Sequence, residues 1–182
     1  IFNNFNIPGK FKKSIILIGN FDGLHSGHQK LFELAKKYKT KYKSKVGVVT
    51  FDPIPKMFFN TKIKNYRISN FNQKVIYLKK FGVDFVINKK FDKNFSKITY
   101  YKFIKDILSK KLRSKFIFVS NNFRFGHKRE GDVAQLKKYE NDFGYNLINP
   151  TPLMKNKKII SSTIIRKLLE EGKLSKANTF LK

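Results

Sequence analysis

The sequence predicts an α/β fold in which a doubly wound, parallel, five-stranded sheet carries helices on both faces. Two observations predict this fold: short apolar runs rich in β-branched residues, and segments of roughly 10 to 18 residues with helical periodicity between them. Strands that alternate with helices form βαβ units, and these units produce a parallel sheet covered on both faces. We expect one domain over residues 1–182, a length that is sufficient to bury a full core.

Five segments carry the apolar pattern of a buried strand. Most are bounded by Gly, Pro, Asn or Ser, the residues that favour turns. The segments are SIILIG at 14–19, VGVVTF at 46–51, VDFVI at 83–87, KFIFV at 115–119 and YNLIN at 145–149.

Four segments between these strands have the apolar spacing of a helix. Asp132 is a typical N-cap residue for the last of them, and Gly144 is a typical residue to end it. The stretches 52–70 and 150–160 are rich in Pro, Asn or Lys and are expected to be irregular. The helical segments are 26–43, 71–81, 97–112 and 132–144.

The formal net charge of +28 raises the question of a polyanionic partner such as nucleic acid. Only five of the 40 basic residues are Arg, whereas phosphate and base recognition favours the guanidinium group. We interpret most of the charge as a solvated surface that helps to attract anionic substrates, and we expect no specific nucleic-acid partner.

Two absences limit the class of protein further. The chain has no cysteine, which excludes a disulfide framework and a thiolate metal site. It has no apolar run near the roughly 20 residues of a membrane span, and residues 1–13 lack the apolar stretch of a signal peptide. We expect a cytoplasmic protein without a membrane partner, and the sequence does not predict its oligomeric state.

The first chemical motif is GNFDGLHSGH at 19–28, which follows the first strand and begins the first helix. Gly23 and Gly27 permit a close approach of the backbone, and the free amides at a helix start bind anions. His25 and His28, one turn apart, project toward the same region. Asp22 lies nearby, but no third ligand at a standard spacing supports a zinc site. The motif predicts phosphate chemistry; a histidine that only caps the turn is the structural alternative.

The second motif is ISSTIIR at 160–166. We expect Ser162 to be the N-cap of a helix, with Arg166 one turn further on the same face. Hydroxyl groups, free amides and a guanidinium would then converge on one point, which suits a triphosphate. Ile165, Leu168 and Leu169 are expected to face the core. An ordinary capped helix explains the pattern equally well.

The third motif is NNFRFGHKREGD at 121–132, which follows the fourth strand. Phe123 and Phe125 alternate with Arg124 before a glycine-bounded basic turn. This pattern is typical either of an aromatic clamp for a planar ring or of a strand end with buried rings. The position at the carboxyl end of a strand favours the clamp.

Together these stretches resemble one family. HxGH and ISSTxxR are similar to the nucleotidylyltransferase superfamily. The FDG of the first motif, TFDPIP at 50–55, GVDFVINKKFDKNFS at 82–96 and FRFGxxxxGD at 123–132 resemble the FMN adenylyltransferase module of bacterial bifunctional riboflavin kinase/FAD synthetases. The resemblance covers nearly the whole chain. It implies a Rossmann-like nucleotidylyltransferase fold and transfer of AMP from ATP to FMN, giving FAD and pyrophosphate, with Mg²⁺ brought in with ATP.

The resemblance also implies roles for individual residues, and it implies no protein metal site. The catalytic set would be His25, His28, Asn122, Ser162, Thr163 and Arg166. ATP would contact Gly19, Asn20, Phe21, Asp22, Gly23, His25, Gly27, His28, Ser161, Ser162, Thr163 and Arg166. The flavin would contact Phe51, Asp52, Phe59, Phe103, Asn122, Phe123, Arg124 and Phe125.

Three departures from the family pattern accompany the resemblance. Ile54 stands where the family commonly has His, and Ser120 stands where it commonly has Gly. The chain stops at EGKLSKANTFLK, before the riboflavin kinase barrel, so we expect no kinase domain in it. Two alternatives stay open: a related nucleotidylyltransferase with another phosphorylated substrate, and a nucleic-acid-binding protein on the same fold.

Overall fold

A computed structural model describes residues 1–63, 66–155 and 158–181. All five predicted strands form one parallel sheet in the order β3-β2-β1-β4-β5, which confirms the predicted fold class. The strands β1 and β2 are joined in register from Ile15 with Val46 to Ile18 with Val49. The strands are β1 (Ile15–Ile18), β2 (Val46–Asp52), β3 (Phe85–Lys90), β4 (Phe116–Phe118) and β5 (Asn146–Ile148).

Helices connect the strands and cover both faces of the sheet. One buried cluster lies on the face that includes Ile16, Ile18 and Ile117, and another lies on the face that includes Ile15 and Leu17. The helices are α1 (Ser26–Tyr42), α2 (Pro55–Phe59), α3 (Phe71–Lys80), α4 (Tyr100–Lys102), which continues as a π-helix (Phe103–Lys111), α5 (Val133–Lys138), α6 (Glu140–Phe143), α7 (Ser162–Glu170) and α8 (Leu174–Leu181).

The structure differs from the predicted elements at the last helix and at the third strand. The predicted helix over 132–144 is two helices, because the backbone leaves helical geometry at Tyr139 (φ −98°, ψ 11°). Its predicted ends are confirmed: Asp132 caps the backbone N–H groups of Ala134 and Gln135, and Gly144 has φ 66°. The third strand begins at Phe85, two residues later than predicted, and the preceding Asp84 carboxylate accepts a hydrogen bond from the Val46 amide at 2.7 Å.

The two stretches predicted to be irregular also contain regular structure. The first contains α2, in which Pro55 occupies the first turn. The second contains a short antiparallel pair, β6 (Met154–Lys155) and β7 (Lys158–Ile159). The remaining residues of these stretches, 64–65 and 156–157, lie outside the described residues.

The strand order determines where a ligand site is expected. The chain passes from β1 to β2 and β3 on one side, and then returns to the other side of β1 to form β4 and β5. In such sheets the crevice for ligands lies at the carboxyl ends of the strands, where this order reverses. Here the reversal lies between β1 and β4, and the first and third motifs follow these two strands.

In residues 1–63, 66–155 and 158–181, no helix is both long and apolar enough to cross a membrane.

Candidate active site

His25 and His28 form a stacked pair at the start of α1. Their ring centroids are 3.7 Å apart with an interplanar angle of 20°, and the Phe21 ring meets His28 edge-on at 5.2 Å. The Nδ1 atoms of both histidines are buried and have no hydrogen-bond partner among the described residues. Two buried polar atoms without partners at a helix start are typical of a site that a polar ligand completes.

Burial keeps both imidazoles neutral at physiological pH. It lowers the pKa of His25 from 6.5 to about 4, and the Arg166 charge acts in the same direction. The pKa of His28 also lies well below 6.5, because of burial and then because of the His25 and Lys74 charges. A neutral imidazole offers one N–H donor and one acceptor nitrogen, so the pair acts through hydrogen bonds.

The backbone before the histidine pair is strained. Phe21 (φ 46°) and Leu24 (φ 41°) both have left-handed backbone, although each side chain is large and buried. Gly23 between them has φ 79°, and a Cβ atom there would lie 2.9 Å from the Ile68 side chain. Left-handed backbone at non-glycine residues costs energy and often occurs at functional sites. Replacing Gly23 with any other residue would therefore add strain to this loop.

The start of α7 lies beside this loop, so the structure brings the first and second motifs together. The Ser162 hydroxyl donates to the Asp22 carbonyl oxygen at 2.9 Å. A Cβ atom at Gly27 would lie 3.2 Å from the His25 ring and 3.4 Å from the Ile160 carbonyl oxygen. The N-termini of α1 and α7, each with unpaired backbone N–H groups and a positive dipole end, therefore share one region.

The predicted N-cap of α7 is wrong by one residue. Ser161 has extended backbone (φ −146°, ψ 154°), and its hydroxyl accepts from the Ile164 amide. Ser162 is the first helical residue, which frees its hydroxyl to bond Asp22 instead. Adjacent serines are equivalent N-caps by residue type, so the sequence alone did not distinguish them. Ile165 is fully buried as predicted, whereas Leu169 is 36% exposed and does not face the core.

Asp22 and Arg166 form a buried ion pair that fixes the geometry of the loop. Arg166 Nη2 donates to Asp22 Oδ2 at 2.7 Å, and the Asp22 side chain is 2% exposed. The Asp22 carboxylate also accepts from the backbone amides of Ile68 and Ser69 at 3.0 and 3.1 Å. These hydrogen bonds occupy the Asp22 carboxylate, and its contact with ATP stays a prediction.

Arg166 is held by two further contacts. Its Nε donates to the Tyr66 carbonyl oxygen at 2.7 Å, and its guanidinium lies 3.8 Å from the centroid of the Tyr66 ring. These contacts use Nε and Nη2, so Nη1 remains for a ligand within the described part of the chain.

The remaining residues predicted for ATP line the same loop and helix start. Gly19 and Asn20 are half-buried, and the Asn20 carbonyl oxygen accepts from the Thr50 hydroxyl at 3.3 Å. Thr163 lies on the first turn of α7 and is exposed.

A lysine that the sequence analysis missed lies next to this loop. Lys74 on α3 is 5% exposed, and its ammonium donates to Thr50 Oγ1 at 3.3 Å. The signal was present, since Lys74 occupies a position on the buried stripe one turn before Leu78, where an apolar residue is the norm.

The residues predicted for the flavin belong to an extended cluster of aromatic rings. Phe51 contacts Phe95 at 5.7 Å, Phe95 contacts Phe103 at 6.3 Å, and Phe103 contacts Phe125 at 5.4 Å. Phe125 is stacked on Phe123 at 5.3 Å. The cluster therefore connects the end of β2 with the loop after β4.

Exposure separates these rings into two groups. Phe103 and Phe125 are 4% and 8% exposed, because they pack into the core. Their contact with the flavin stays a prediction. Phe59 is 69% exposed at the end of α2, next to Phe91 at 5.8 Å. Phe51 and Phe123 are half-buried. Of the predicted aromatic set, Phe59, Phe51 and Phe123 can therefore meet a planar ring.

The polar residues predicted for the flavin all have partners. Asp52 pairs with Arg67, and Arg124 pairs with Asp132 at 2.8 Å. Asn122 is exposed, and its Oδ1 accepts from the Ser120 hydroxyl at 2.9 Å. The Ser120 departure thus orients the Asn122 amide.

The Ile54 departure has a structural role. Ile54 is 3% exposed and precedes α2, and its carbonyl oxygen accepts from the Met57 and Phe58 amides.

Residues 1–63, 66–155 and 158–181 contain no group of three or more His, Cys, Asp or Glu side chains that could hold a metal ion. Asp22, the acidic residue nearest to the histidine pair in sequence, is already bonded to Arg166 and to two amides.

Comparison with known proteins gives three consistent results. The family model described as FAD synthetase matches residues 8–164. The bifunctional riboflavin kinase/FMN adenylyltransferase of Buchnera aphidicola subsp. Acyrthosiphon pisum is 40% identical over 176 residues, which cover 97% of this chain and 56% of that protein. The protein of the same name from Escherichia coli strain K12 is 36% identical over 167 residues, covering 92% of this chain and 53% of that protein.

The chain thus spans about half the length of the curated relatives it matches. Among solved structures, one described as a macrolide-efflux protein from Streptococcus pneumoniae matches with a TM-score of 0.82 and 29% identity, covering 93% of this chain and 64% of that chain. This chain has the same fold as the Streptococcus pneumoniae protein.

Proposed function

The chain belongs to the FAD synthetase family, and we propose that it transfers the AMP group of ATP to FMN, forming FAD and pyrophosphate. The observation that carries this proposal is the stacked His25–His28 pair at the start of α1, beside the start of α7, at the point where the strand order reverses. Two helix starts and two unpartnered imidazoles form a site for a strongly anionic group such as a triphosphate.

The proposed step needs no nucleophile from the protein. An oxygen of the FMN phosphate attacks the α-phosphorus of ATP, and a new phosphorus–oxygen bond forms. The bond from the α-phosphorus to the bridging oxygen breaks, and pyrophosphate leaves with the bonding electron pair. Catalysis of such a step consists of alignment and of stabilising the charge on the oxygens.

The histidine pair supplies hydrogen bonds to the phosphates. Burial keeps both imidazoles neutral before substrate binds, and each ring has at least one N–H that can donate to a phosphate oxygen. Donors that are already oriented in such a site stabilise developing charge without reorganisation.

Arg166 supplies the fixed positive charge. Asp22 and Tyr66 hold its guanidinium in one orientation. In the proposed reaction Nη1, which these contacts do not use, donates to a phosphate oxygen of the substrate. The hydroxyl of Thr163 and the first-turn amides of α7 add neutral donors.

Mg²⁺ enters with ATP as part of the substrate. Its preferred ligands are oxygens, including those of phosphates and water. The described residues offer no group of three acidic or imidazole ligands, so we assign the ion to the phosphate oxygens and assign no step to it.

The flavin is placed next to Phe59, Phe51 and Phe123, the three predicted rings that are not buried. An isoalloxazine ring would stack on exposed aromatic surface here, while Phe103 and Phe125 support that surface from the core.

An acceptor panel tests the proposal. The chain is incubated with Mg²⁺, ATP and one phosphorylated acceptor at a time: FMN, nicotinamide mononucleotide or phosphopantetheine. We expect a dinucleotide product only with FMN. A product with another acceptor and none with FMN would identify a related nucleotidylyltransferase instead.

A further inference from the structure

Lys74 is a buried cation without a carboxylate partner. It is 5% exposed, and no acidic side chain of the described residues lies within 4.0 Å of its ammonium. Its contact is a 3.3 Å hydrogen bond to the Thr50 hydroxyl, although an ammonium has three donors. A buried, unpaired charge is costly to the fold, so its retention points to a partner that is present only in a complex.

The two carboxylates whose charges act on Lys74 are already bonded to arginines. Asp22 pairs with Arg166, and Asp52 pairs with Arg67. Within this cluster three cations therefore face two carboxylates, and Lys74 is the cation without an ion pair. The cluster has a net charge of +1, which an anion would balance.

Hydrogen bonds link Lys74 to the loop after β1, which leads to the histidine pair. Its partner Thr50 donates in turn to the carbonyl oxygen of Asn20, in the loop that leads to the histidines. The Lys74 charge affects the pKa of His28. The Asp52 and Arg67 charges act on the pKa of Lys74: Asp52 raises it and Arg67 lowers it. Asp52 is one of the residues predicted to contact the flavin.

The ammonium stays charged at neutral pH. Burial lowers its pKa from 10.5 to about 8, an effect that Asp22 opposes and Arg67 increases. Lys74 is therefore a proton-bearing donor under physiological conditions, and binding an anion would raise its pKa again.

We infer that Lys74 contacts a substrate phosphate oxygen, and that it is a further catalytic residue of the proposed AMP transfer. The inference rests on the proposed function. The oxygen belongs either to the pyrophosphate part of ATP or to the FMN phosphate, and the two sources share the same chemistry.

The test compares Lys74→Met with the matched variant Lys79→Met. Lys79 lies on the same helix and is exposed, so Lys79→Met removes the same charge from the surface. Melting temperatures are measured without ligand, with pyrophosphate and with FMN, and the ligand-induced shifts give affinities. FAD formation by the wild-type chain is measured in parallel.

We expect Lys74→Met to melt no lower than wild type without ligand, because the variant removes an uncompensated buried charge. We expect its affinity for pyrophosphate or for FMN to fall roughly 10- to 100-fold, the usual effect of a hydrogen bond to a charged group. If the response to pyrophosphate is lost, Lys74 contacts the phosphates of ATP. If the response to FMN is lost, Lys74 contacts the FMN phosphate. Lys79→Met should respond like wild type.

Two results would overturn the inference. Unchanged affinities for both ligands in Lys74→Met would show that the ammonium touches neither. Lower melting temperatures of both Lys74→Met and Lys74→Gln without ligand would show a structural role. A wild-type chain that responds to neither ligand and forms no FAD would instead refute the proposed function, and the role of Lys74 with it.

Discussion

Arg166 Nη2 donates to Asp22 Oδ2 at 2.7 Å and joins two motifs that are 144 residues apart in the sequence. Asp22 also accepts from the backbone of Ile68 and Ser69, so one carboxylate holds together the loop after β1, the chain before α3 and the start of α7. The ion pair is a framework on which the histidine pair and the anion-binding helix starts are placed.

Removing the Asp22 carboxylate should destabilise the fold. Asp22→Ala leaves the buried Arg166 guanidinium and two amides without their acceptor. We expect the free energy of unfolding to fall by about 3–5 kcal/mol, the usual cost of breaking a buried ion pair. Urea unfolding followed by circular dichroism measures it, with Asp106→Ala as the control, because Asp106 forms an exposed ion pair with Lys110 on the surface. A loss below about 1 kcal/mol would contradict this role.

His28→Ala should reduce turnover while the fold stays intact. Removal of one preorganised donor lowers turnover by roughly 10²- to 10³-fold. His127→Ala is the matched control, because the His127 ring contacts the Ser96 carbonyl oxygen and is not among the residues predicted to bind ATP or FMN. The measurement is the steady-state rate of FAD formation together with the circular dichroism spectrum. Near-normal turnover of His28→Ala would remove this residue from the mechanism.

Stability should decrease on acidification because of the histidine pair. The pKa of His25 is about 4 in the folded chain and 6.5 as its ordinary value, so between these pH values the unfolded chain binds more protons. The free energy of unfolding therefore rises with pH in this window, and acidification from pH 6.5 to 4 costs about 3 kcal/mol for His25 alone. His28 acts in the same direction.

The pH effect is isolated by comparison with a His25→Asn, His28→Asn double variant. Urea unfolding at pH 7, 5.5 and 4 should give a smaller loss for the variant than for the wild-type chain. Equal losses in both chains would show that other groups cause the acid sensitivity.

Phe59 and Phe103 should respond to truncation in opposite ways. Phe59 is 69% exposed, so Phe59→Ala should leave stability within about 0.5 kcal/mol but raise the KM for FMN. Phe103 is 4% exposed, so Phe103→Ala should lower the free energy of unfolding by about 3–5 kcal/mol. Thermal unfolding and FMN saturation curves measure the two effects. An unchanged KM in Phe59→Ala would place the flavin elsewhere.

The surface charge should give only nonspecific binding to nucleic acid. Most of the 40 basic residues are Lys, and an interaction that rests on such residues is screened by salt. A gel shift with duplex DNA should vanish at about 200 mM salt. A complex that survives this salt and depends on the DNA sequence would instead favour the nucleic-acid-binding alternative.

Much of the fold was predictable because its signals are local. The apolar runs of the five strands and the cap residues Asp132 and Gly144 act within a few residues. The break at Tyr139 and the short β6–β7 pair were not predictable, because tertiary packing and not periodicity determines them.

The site was predictable as a set of motifs but not as a set of contacts. The sequence suggested that the residues of 19–28 and 160–166 bind one ligand, and the structure places them in contact. The sequence did not indicate that Asp22 would form an ion pair with Arg166, nor that Phe103 would be buried. Both outcomes depend on partners that are far away in the chain. Lys74 was missed because lysine is usually exposed, as the two other lysines of this helix, Lys79 and Lys80, are.

The most direct test of the proposed AMP transfer follows the α-phosphate of ATP. The folded chain is incubated with Mg²⁺, FMN and ATP that carries ³²P at the α position, and the products are separated by chromatography. The proposal predicts that the label enters FAD, in an amount equal to the unlabelled pyrophosphate released. A folded chain that leaves the label in ATP, or transfers it to a product other than FAD, would contradict the proposal.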